Sequence, residues 1–143
     1  MKRSSRGKRT KKNDGERGPH SFIAIVDDDE SVREALQSLL KSMGLRAEGF
    51  ASAEDFLQSA HLPATTCLLL DVRMPGMGGL ELQRQLAATE RRIPIIFITA
   101  HGDEDTRVQA LRAGAVDFLA KPFSEEALLA AVHSALGQDR DEA

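Results

Sequence analysis

The chain has 143 residues, 41% hydrophobic and 29% charged, which is enough for one globular domain with a core and too few for two. The formal net charge of −3 conceals a division, because residues 1–20 hold eight basic against two acidic side chains and the remainder is strongly acidic. The absence of Trp and Tyr excludes an aromatic platform for sugars or single-stranded nucleic acid. Since no apolar stretch reaches ~20 residues, we expect no membrane span. We expect no secretory signal either, because no apolar segment follows the basic residues of the N-terminus.

Residues 1–20 form a basic tail almost without apolar side chains, so it lacks the hydrophobic surface that would stabilise an ordered structure. We predict that this tail is disordered, that residues 21–138 form a single domain, and that residues 139–143 are a short C-terminal tail. A basic arm of this kind could bind nucleic acid or an acidic surface. A merely solvated tail is the favoured alternative.

Five short runs predict the strands of a parallel sheet that is covered on both faces. The second run is the weakest of the five. The apolar stretch around the third strand includes the single cysteine, Cys67, for which we expect a reduced core thiol and therefore a cytoplasmic protein. In chain order the strands are predicted at residues 22–26, 46–50, 68–70, 95–99 and 116–119.

Apolar residues at helical spacing separate these runs and predict five helices. Gly44 and Gly114 stop the first and the fourth helix, Ser52 opens the second with a capping-box pattern, and Ser124 caps the last. Strands that alternate with helices predict an α/β fold, a doubly wound, flavodoxin-type parallel sheet with strand order 2-1-3-4-5. In chain order the helices are predicted at residues 32–43, 52–61, 80–86, 104–113 and 124–136.

Asp71 is the first charged residue after the leucine run of the third strand. An aspartate at the carboxyl end of such a strand faces the crevice in which open α/β sheets place their sites. The alternative is that Asp71 caps the following loop, because Asp is common where strands end. The fragment by itself leaves both interpretations open.

Other polar residues meet Asp71 at the same edge of the predicted sheet. Asp27, Asp28 and Asp29 follow the first strand, Thr99 ends the fourth, and Lys121 follows the fifth. Converging carboxylates repel one another unless a cation neutralises them, and oxygen ligands suit Mg²⁺, with Mn²⁺ as a second possibility. A hydroxyl and an ammonium beside that metal suit a phosphoryl group, for which an aspartate can be the nucleophile.

Five sequence segments lie at the predicted strand ends and in the loops that follow them. They are Val26-Asp27-Asp28-Asp29-Glu30, Asp71-Val72-Arg73-Met74-Pro75-Gly76-Met77-Gly78-Gly79, Ile98-Thr99-Ala100, Ala113-Gly114-Ala115-Val116-Asp117-Phe118 and Lys121-Pro122-Phe123. Together they resemble the receiver domain of bacterial two-component response regulators, over about residues 21–138. Residues 100–103 and 121–123 look most like the FixJ-like branch.

The resemblance implies an acceptor and a metal site. Asp71 would be the phosphoacceptor, which takes a phosphoryl group from the phosphohistidine of a histidine kinase. Asp28 and Asp71 would bind Mg²⁺ directly together with the backbone carbonyl of Arg73, and Asp27 would act through a metal-bound water. Asp29 is not expected to touch the metal.

The resemblance also implies a switch. Thr99 would move toward the phosphoryl group, Phe118 would turn inward, and Lys121 would pair with the phosphoryl oxygens after a cis bond to Pro122. These movements would change the surface formed by the fourth helix, the fifth strand and the fifth helix. Its partners would be a downstream protein or a second copy of the chain. His101 borders this pocket, and a role in phosphoryl lifetime and a plain surface position are equally favoured.

Two other classes compete with this interpretation. A phosphatase of the haloacid-dehalogenase type needs a second aspartate where this chain has Arg73, so we expect no turnover of external substrates. A flavin-binding flavodoxin needs a phosphate loop where this chain has three aspartates. Because the chain stops at Ala143, without room for a helix-turn-helix, we expect a stand-alone receiver or the severed receiver of a longer regulator. The upstream partner would be a sensor histidine kinase or a phosphotransfer protein.

Overall fold

The computed structural model describes the backbone of residues 21–100 and 103–142, and the side chains of residues 21–100 and 103–137. The predicted disorder of residues 1–20, their possible contact with nucleic acid and the position of His101 lie outside these ranges.

Strands and helices alternate throughout the described residues. The strands are β1 (Phe22–Val26), β2 (Arg46–Phe50), β3 (Cys67–Leu70), β4 (Ile95–Thr99) and β5 (Asp117–Ala120). The helices are α1 (Glu30–Ser42), α2 (Ala53–Leu57), α3 (Gly79–Ala88), α4 (Glu104–Arg112) and α5 (Glu125–Glu142), with a 3-10 turn at Leu62–Ala64. The last helix therefore runs past residue 138, where we predicted the end of the domain.

All five strands pair in parallel in the order β2-β1-β3-β4-β5. This arrangement confirms the predicted doubly wound fold. The register places Val26 beside Leu70, and Leu70 beside Phe97. The carboxyl ends of β1, β3 and β4 therefore lie at one edge of the sheet, and the residues that follow them are neighbours in space.

Each face of the sheet has its own core. Ile23 and Ile25 of β1 pack with the apolar side chains of α1 and α5, whereas Phe22, Ala24 and Val26 pack with those of α2, α3 and α4. Because helices cover both faces, all residues of β1, β3 and β4 are buried. This double burial explains why these three strands are continuous apolar runs, and Cys67 is a buried free thiol as predicted.

Most helix ends follow the sequence signals. The side chain of Ser52 accepts a hydrogen bond from the backbone N–H of Asp55 at 3.0 Å, and that of Ser124 accepts one from Ala127 at 3.0 Å. Gly44 and Gly114 follow α1 and α4 with positive φ angles of 82° and 105°, which only glycine adopts at little cost.

Two local predictions were wrong. The second helix ends at Leu57 instead of near residue 61, because the hydroxyl of Ser59 accepts a hydrogen bond from His61 N–H at 2.8 Å and competes with helical pairing. Met43, the last of the apolar residues at helical spacing in the predicted helix 32–43, is the C-cap of α1 and is half exposed. Its position after the last helical turn directs it away from the core.

Candidate functional site

Three carboxylates meet at the carboxyl edge of the sheet. Asp27 follows β1 and Asp71 follows β3, and the N–H of Asp71 donates to the carbonyl of Val26 at 3.0 Å, so the ladder continues to the site. Carboxylate oxygens of Asp27, Asp28 and Asp71 all lie within 4.8 Å of one another. Asp27 and Asp71 are buried, whereas Asp28 is exposed.

Asp27 is held by four hydrogen bonds. Its N–H donates to the carbonyl of Phe50 at 3.2 Å, and its own carbonyl accepts from Nη1 of Arg33 at 2.8 Å. Its Oδ1 accepts from the N–H of Asp29 at 2.9 Å, and its Oδ2 accepts from Nζ of Lys121 at 3.2 Å. Both carboxylate oxygens are therefore already engaged, and the orientation of Asp27 is fixed by its neighbours.

Of the two buried carboxylates, Asp71 has the fewer of its oxygens satisfied by hydrogen bonds. Its Oδ1 is buried and has no hydrogen-bond partner among the described residues. Burial raises the pKa of this carboxyl above its usual value, and the charge of Asp27 raises it further. The charge of Lys121, a hydrogen bond from the side chain of Thr99 and one from the backbone of Val72 lower the pKa but do not cancel these effects.

A hard divalent cation fits this set of donors. The three side chains offer only oxygen atoms, two of them are buried beside each other, and Oδ1 of Asp71 is left without a partner. A buried, unpaired carboxylate oxygen is costly unless a cation or a hydrogen bond satisfies it. The acidic cluster is thus compatible with Mg²⁺, which takes one or two carboxylates and keeps waters for its other positions.

Thr99 and Lys121 flank the acidic cluster, as predicted from the strand ends. Thr99 is the last residue of β4 and is fully buried. The N–H of Lys121 donates to the carbonyl of Thr99 at 2.9 Å, and the bond from Lys121 to Pro122 is cis, as expected. The ammonium of Lys121 contacts Asp27 rather than Asp71 in this structure.

Other predicted residues lie farther from the cluster. Phe118 in β5 is half-buried and packs on Phe97 of β4, with ring centroids 6.0 Å apart. The carboxylate of Asp29 caps α1 by accepting from the N–H of Ser31 at 2.9 Å, so it faces the helix and not the site. The side chain of Arg73 is exposed, and the proposed role of its carbonyl stays a prediction.

The loop after Asp71 is held in place by two contacts that sequence reasoning missed. The N–H of Gly79 donates to the carbonyl of Val72 at 2.9 Å, and a Cβ at Gly79 would lie 2.2 Å from the carbonyl oxygen of Asp71. The carboxylate of Glu54 on α2 accepts from the N–H of Met77 at 3.0 Å. The paired glycines at the start of α3 signalled the first contact, because glycine marks a close backbone approach. No local signal marked Glu54.

Arg33 is a second residue that sequence reasoning missed. The available signal was Gly49 in the middle of β2, because a glycine inside a strand often marks a close approach by another group. A Cβ at Gly49 would lie 3.1 Å from Cδ of Arg33.

Comparison with known proteins agrees with this geometry. The family model of the response regulator receiver domain matches residues 23–133. The chain belongs to the response regulator receiver family. It is therefore a receiver domain of a two-component system, as the sequence segments predicted.

Individual relatives support the FixJ-like branch. The response regulator protein TodT of Pseudomonas putida is 55% identical over 116 residues, which cover 81% of this chain and 51% of TodT. The solved structure of the response regulator StyR is 49% identical with a TM-score of 0.79, covering 86% of this chain and 62% of that one. FixJ-N is 41% identical with a TM-score of 0.74, covering 82% of this chain and 94% of that one.

The receiver spans about half the length of the curated relatives that it matches. The expectation that it acts as a stand-alone protein therefore stays a prediction. Within the ranges that the structure describes, the helices are too short or too polar to cross a membrane.

Proposed function

We propose that Asp71 is the phosphoacceptor of this receiver and that Mg²⁺ binds beside it. The observation that supports this proposal is the buried, unpartnered Oδ1 of Asp71 within 4.8 Å of the other two carboxylates. Asp28 and Asp71, with the carbonyl of Arg73, would hold the ion directly. Asp27 would act through a water, since both of its carboxylate oxygens already accept hydrogen bonds.

The proposed reaction is phosphoryl transfer from a histidine of a sensor kinase or of a phosphotransfer protein. A carboxylate oxygen of Asp71 attacks phosphorus, the P–N bond breaks, and the nitrogen keeps the electron pair and takes up a proton. Asp71 attacks as the carboxylate, and the positive charge of Lys121 favours that form because it lowers the pKa of Asp71. Mg²⁺ would supply Lewis-acid stabilisation of the phosphoryl oxygens.

Thr99 and Lys121 are the proposed partners of the phosphoryl group. Thr99 already hydrogen-bonds to the Asp71 carboxylate, so its hydroxyl lies at the acceptor. Lys121 would exchange its contact with Asp27 for a phosphoryl oxygen, which is more highly charged. We infer self-catalysed dephosphorylation and no turnover of other phosphoesters.

Phosphorylation would switch the face formed by α4, β5 and α5. Thr99 and Phe118 lie on paired strands, and α4 contributes only Ala110 as a buried residue, so little apolar surface opposes its movement. A downstream protein or a second copy of the receiver would bind this face. Contact of the basic tail with nucleic acid is the less favoured partner, and a cytoplasmic location stays a prediction.

Phosphotransfer tests the proposal. Wild type, Asp71→Ala and Asp105→Asn, a substitution of an exposed aspartate on α4, are incubated with Mg²⁺ and either a candidate kinase or acetyl phosphate. We expect one acid-stable, base-labile phosphoryl group on wild type and on Asp105→Asn, and none on Asp71→Ala, by intact mass. Label retained on Asp71→Ala would contradict the assignment of the acceptor.

A further inference from the structure

Arg33 links α1 to the end of β1. It lies in the first half of α1, is half-buried, and its Nη1 donates to the backbone carbonyl of Asp27 at 2.8 Å. On the way to this carbonyl the side chain passes close to Gly49 of β2, the edge strand beside β1. A charged donor on a carbonyl is among the stronger hydrogen bonds.

Gly49 of β2 leaves space for this side chain. A Cβ at position 49 would lie 3.1 Å from Cδ and 3.3 Å from Cβ of Arg33, closer than ordinary packing. The backbone of Gly49 does not have a positive φ, so the glycine is explained by the approach of Arg33 and not by a turn. The missing side chain of Gly49 thus lets Arg33 pack against β2.

The carbonyl that Arg33 holds belongs to the peptide that joins Asp27 to Asp28. The orientation of this peptide sets the direction in which the Cα–Cβ bond of Asp28 points. Asp27 is fixed on its other sides by Phe50, Asp29 and Lys121, whereas Asp28 is exposed. The bond from Arg33 therefore acts on the one carboxylate of the cluster that burial does not hold in place.

We propose that Arg33 is a positioning residue for the cation site, which fixes the Asp27–Asp28 peptide so that the carboxylate of Asp28 faces the metal. This inference rests on the proposed function, because it assumes that Mg²⁺ binds at the acidic cluster. Arg33 does not touch the metal itself. Its positive charge would by itself weaken cation binding, so positioning and simple electrostatics predict opposite effects of removing it.

Calorimetric titration with Mg²⁺ separates the two effects. Arg33→Met keeps the apolar stem beside Gly49 and removes the charge and the hydrogen bond. We expect about tenfold weaker Mg²⁺ binding, the lower end of what loss of a partner behind a metal ligand costs. Arg33→Lys, which keeps the charge and can make one bond, should bind with intermediate affinity. Equal or tighter binding by Arg33→Met would overturn the proposal.

Gln37→Leu is the matched control on the same helix. Gln37 lies one turn after Arg33, and its Nε2 donates to the carbonyl of Ala47 in β2 at 3.0 Å. The substitution removes a comparable bond between α1 and β2 without touching Asp27. We expect Mg²⁺ affinity within about twofold of wild type. A loss equal to that of Arg33→Met would show that the docking of α1 matters, and not the bond to Asp27.

Phosphorylation by acetyl phosphate gives a second readout. In Arg33→Met the Mg²⁺ concentration for half-maximal rate should rise in step with the calorimetric constant, while the rate at saturating Mg²⁺ approaches that of wild type. If wild type bound no Mg²⁺, the proposed function would fail. If wild type bound and Arg33→Met matched it, only the role of Arg33 would fail.

A second substitution covers the case in which Arg33→Met does not fold. Gly49→Ala keeps Arg33 and places a methyl group 3.1 Å from its Cδ, so the side chain must shift. We expect the same direction of change in Mg²⁺ affinity, with a smaller size. Unchanged affinity in a folded Gly49→Ala protein would contradict the positioning role.

Discussion

Nζ of Lys121 lies 3.2 Å from Oδ2 of Asp27, and this ion pair joins two residues that are 94 positions apart in the chain. It connects the end of β5 to the end of β1 across the strands between them. Lys121 thus pairs with Asp27, and Oδ1 of Asp71 has no hydrogen-bond partner among the described residues. The charge of Lys121 still lowers the pKa of Asp71 through space.

The first prediction concerns the charge of Lys121. Because that charge lowers the pKa of Asp71, Lys121→Met should raise the pKa of Asp71 further above its usual value. The measurement is a carbon-detected NMR titration of the Asp71 carboxyl in Mg²⁺-free buffer. Lys41→Met, which removes an exposed lysine from the last turn of α1, should leave the titration unchanged. An unchanged pKa in Lys121→Met would contradict the through-space effect.

The second prediction concerns the pH dependence of stability. A carboxyl whose pKa is raised on folding binds its proton more tightly in the folded state. As pH rises from near 3.8 to the folded pKa of Asp71, this residue therefore lowers the free energy of unfolding progressively. Above the folded pKa the loss stays constant. Asp71→Asn should be more stable than wild type at neutral pH without Mg²⁺, and the difference should vanish in acid.

Urea unfolding across this pH range, in the presence of a chelator, measures the difference. Asp105→Asn is the control because its side chain is exposed on α4, and its stability should follow wild type at every pH. A gap between Asp71→Asn and wild type that grew toward low pH would have the wrong sign.

The third prediction separates Asp29 from Asp28. The carboxylate of Asp29 caps α1, so Asp29→Ala should lower the free energy of unfolding by about 1 kcal/mol and leave Mg²⁺ affinity nearly unchanged. Asp28→Ala should weaken Mg²⁺ binding and leave the free energy of unfolding nearly unchanged, since this exposed carboxylate belongs to the acidic cluster. Chemical unfolding and calorimetric titration of both variants check the two effects. Loss of Mg²⁺ binding in Asp29→Ala would place Asp29 among the ligands.

The fourth prediction concerns the glycine at the start of α3. Gly79→Ala places Cβ against the carbonyl oxygen of Asp71, which is backbone and cannot rotate away. We expect the free energy of unfolding to fall by about 1–3 kcal/mol, and phosphorylation of Asp71 to slow as the loop shifts.

Gly137→Ala in α5 is the matched control. Among the described residues outside its own stretch of helix, no atom lies within 4 Å of its Cβ position, so the substitution should stabilise the helix by about 0.5–1 kcal/mol. Equal effects of the two substitutions would mean that the close approach to Asp71 is unimportant.

The fifth prediction concerns a phosphoryl mimic. Beryllofluoride with Mg²⁺ should raise the Tm of wild type, because a ligand that binds only the folded state stabilises it. Asp71→Asn should show no shift, since it lacks the carboxylate oxygen to which beryllium would bind. Absence of a shift in wild type would count against the acceptor site.

Much of this receiver follows from local patterns. Continuous apolar runs such as 68–70 predict strands buried on both faces, and parallel pairing places every carboxyl end at one edge. The sequence therefore predicts a cluster at that edge, and the structure places its members together: Asp27, Asp71, Thr99 and Lys121. Helix ends at Ser124 and Gly44 follow from hydrogen bonds and dihedral angles that extend over only a few residues.

Only the tertiary structure decided how the site residues are paired. The sequence could not show that Lys121 contacts Asp27, that Arg33 reaches the carbonyl of Asp27 beside Gly49, or that one oxygen of Asp71 has no partner among the described residues. These facts depend on distances between residues remote in the chain and on how far each group is removed from water. Local propensity determines neither quantity, so the fold followed from the sequence and the electrostatics of the site did not.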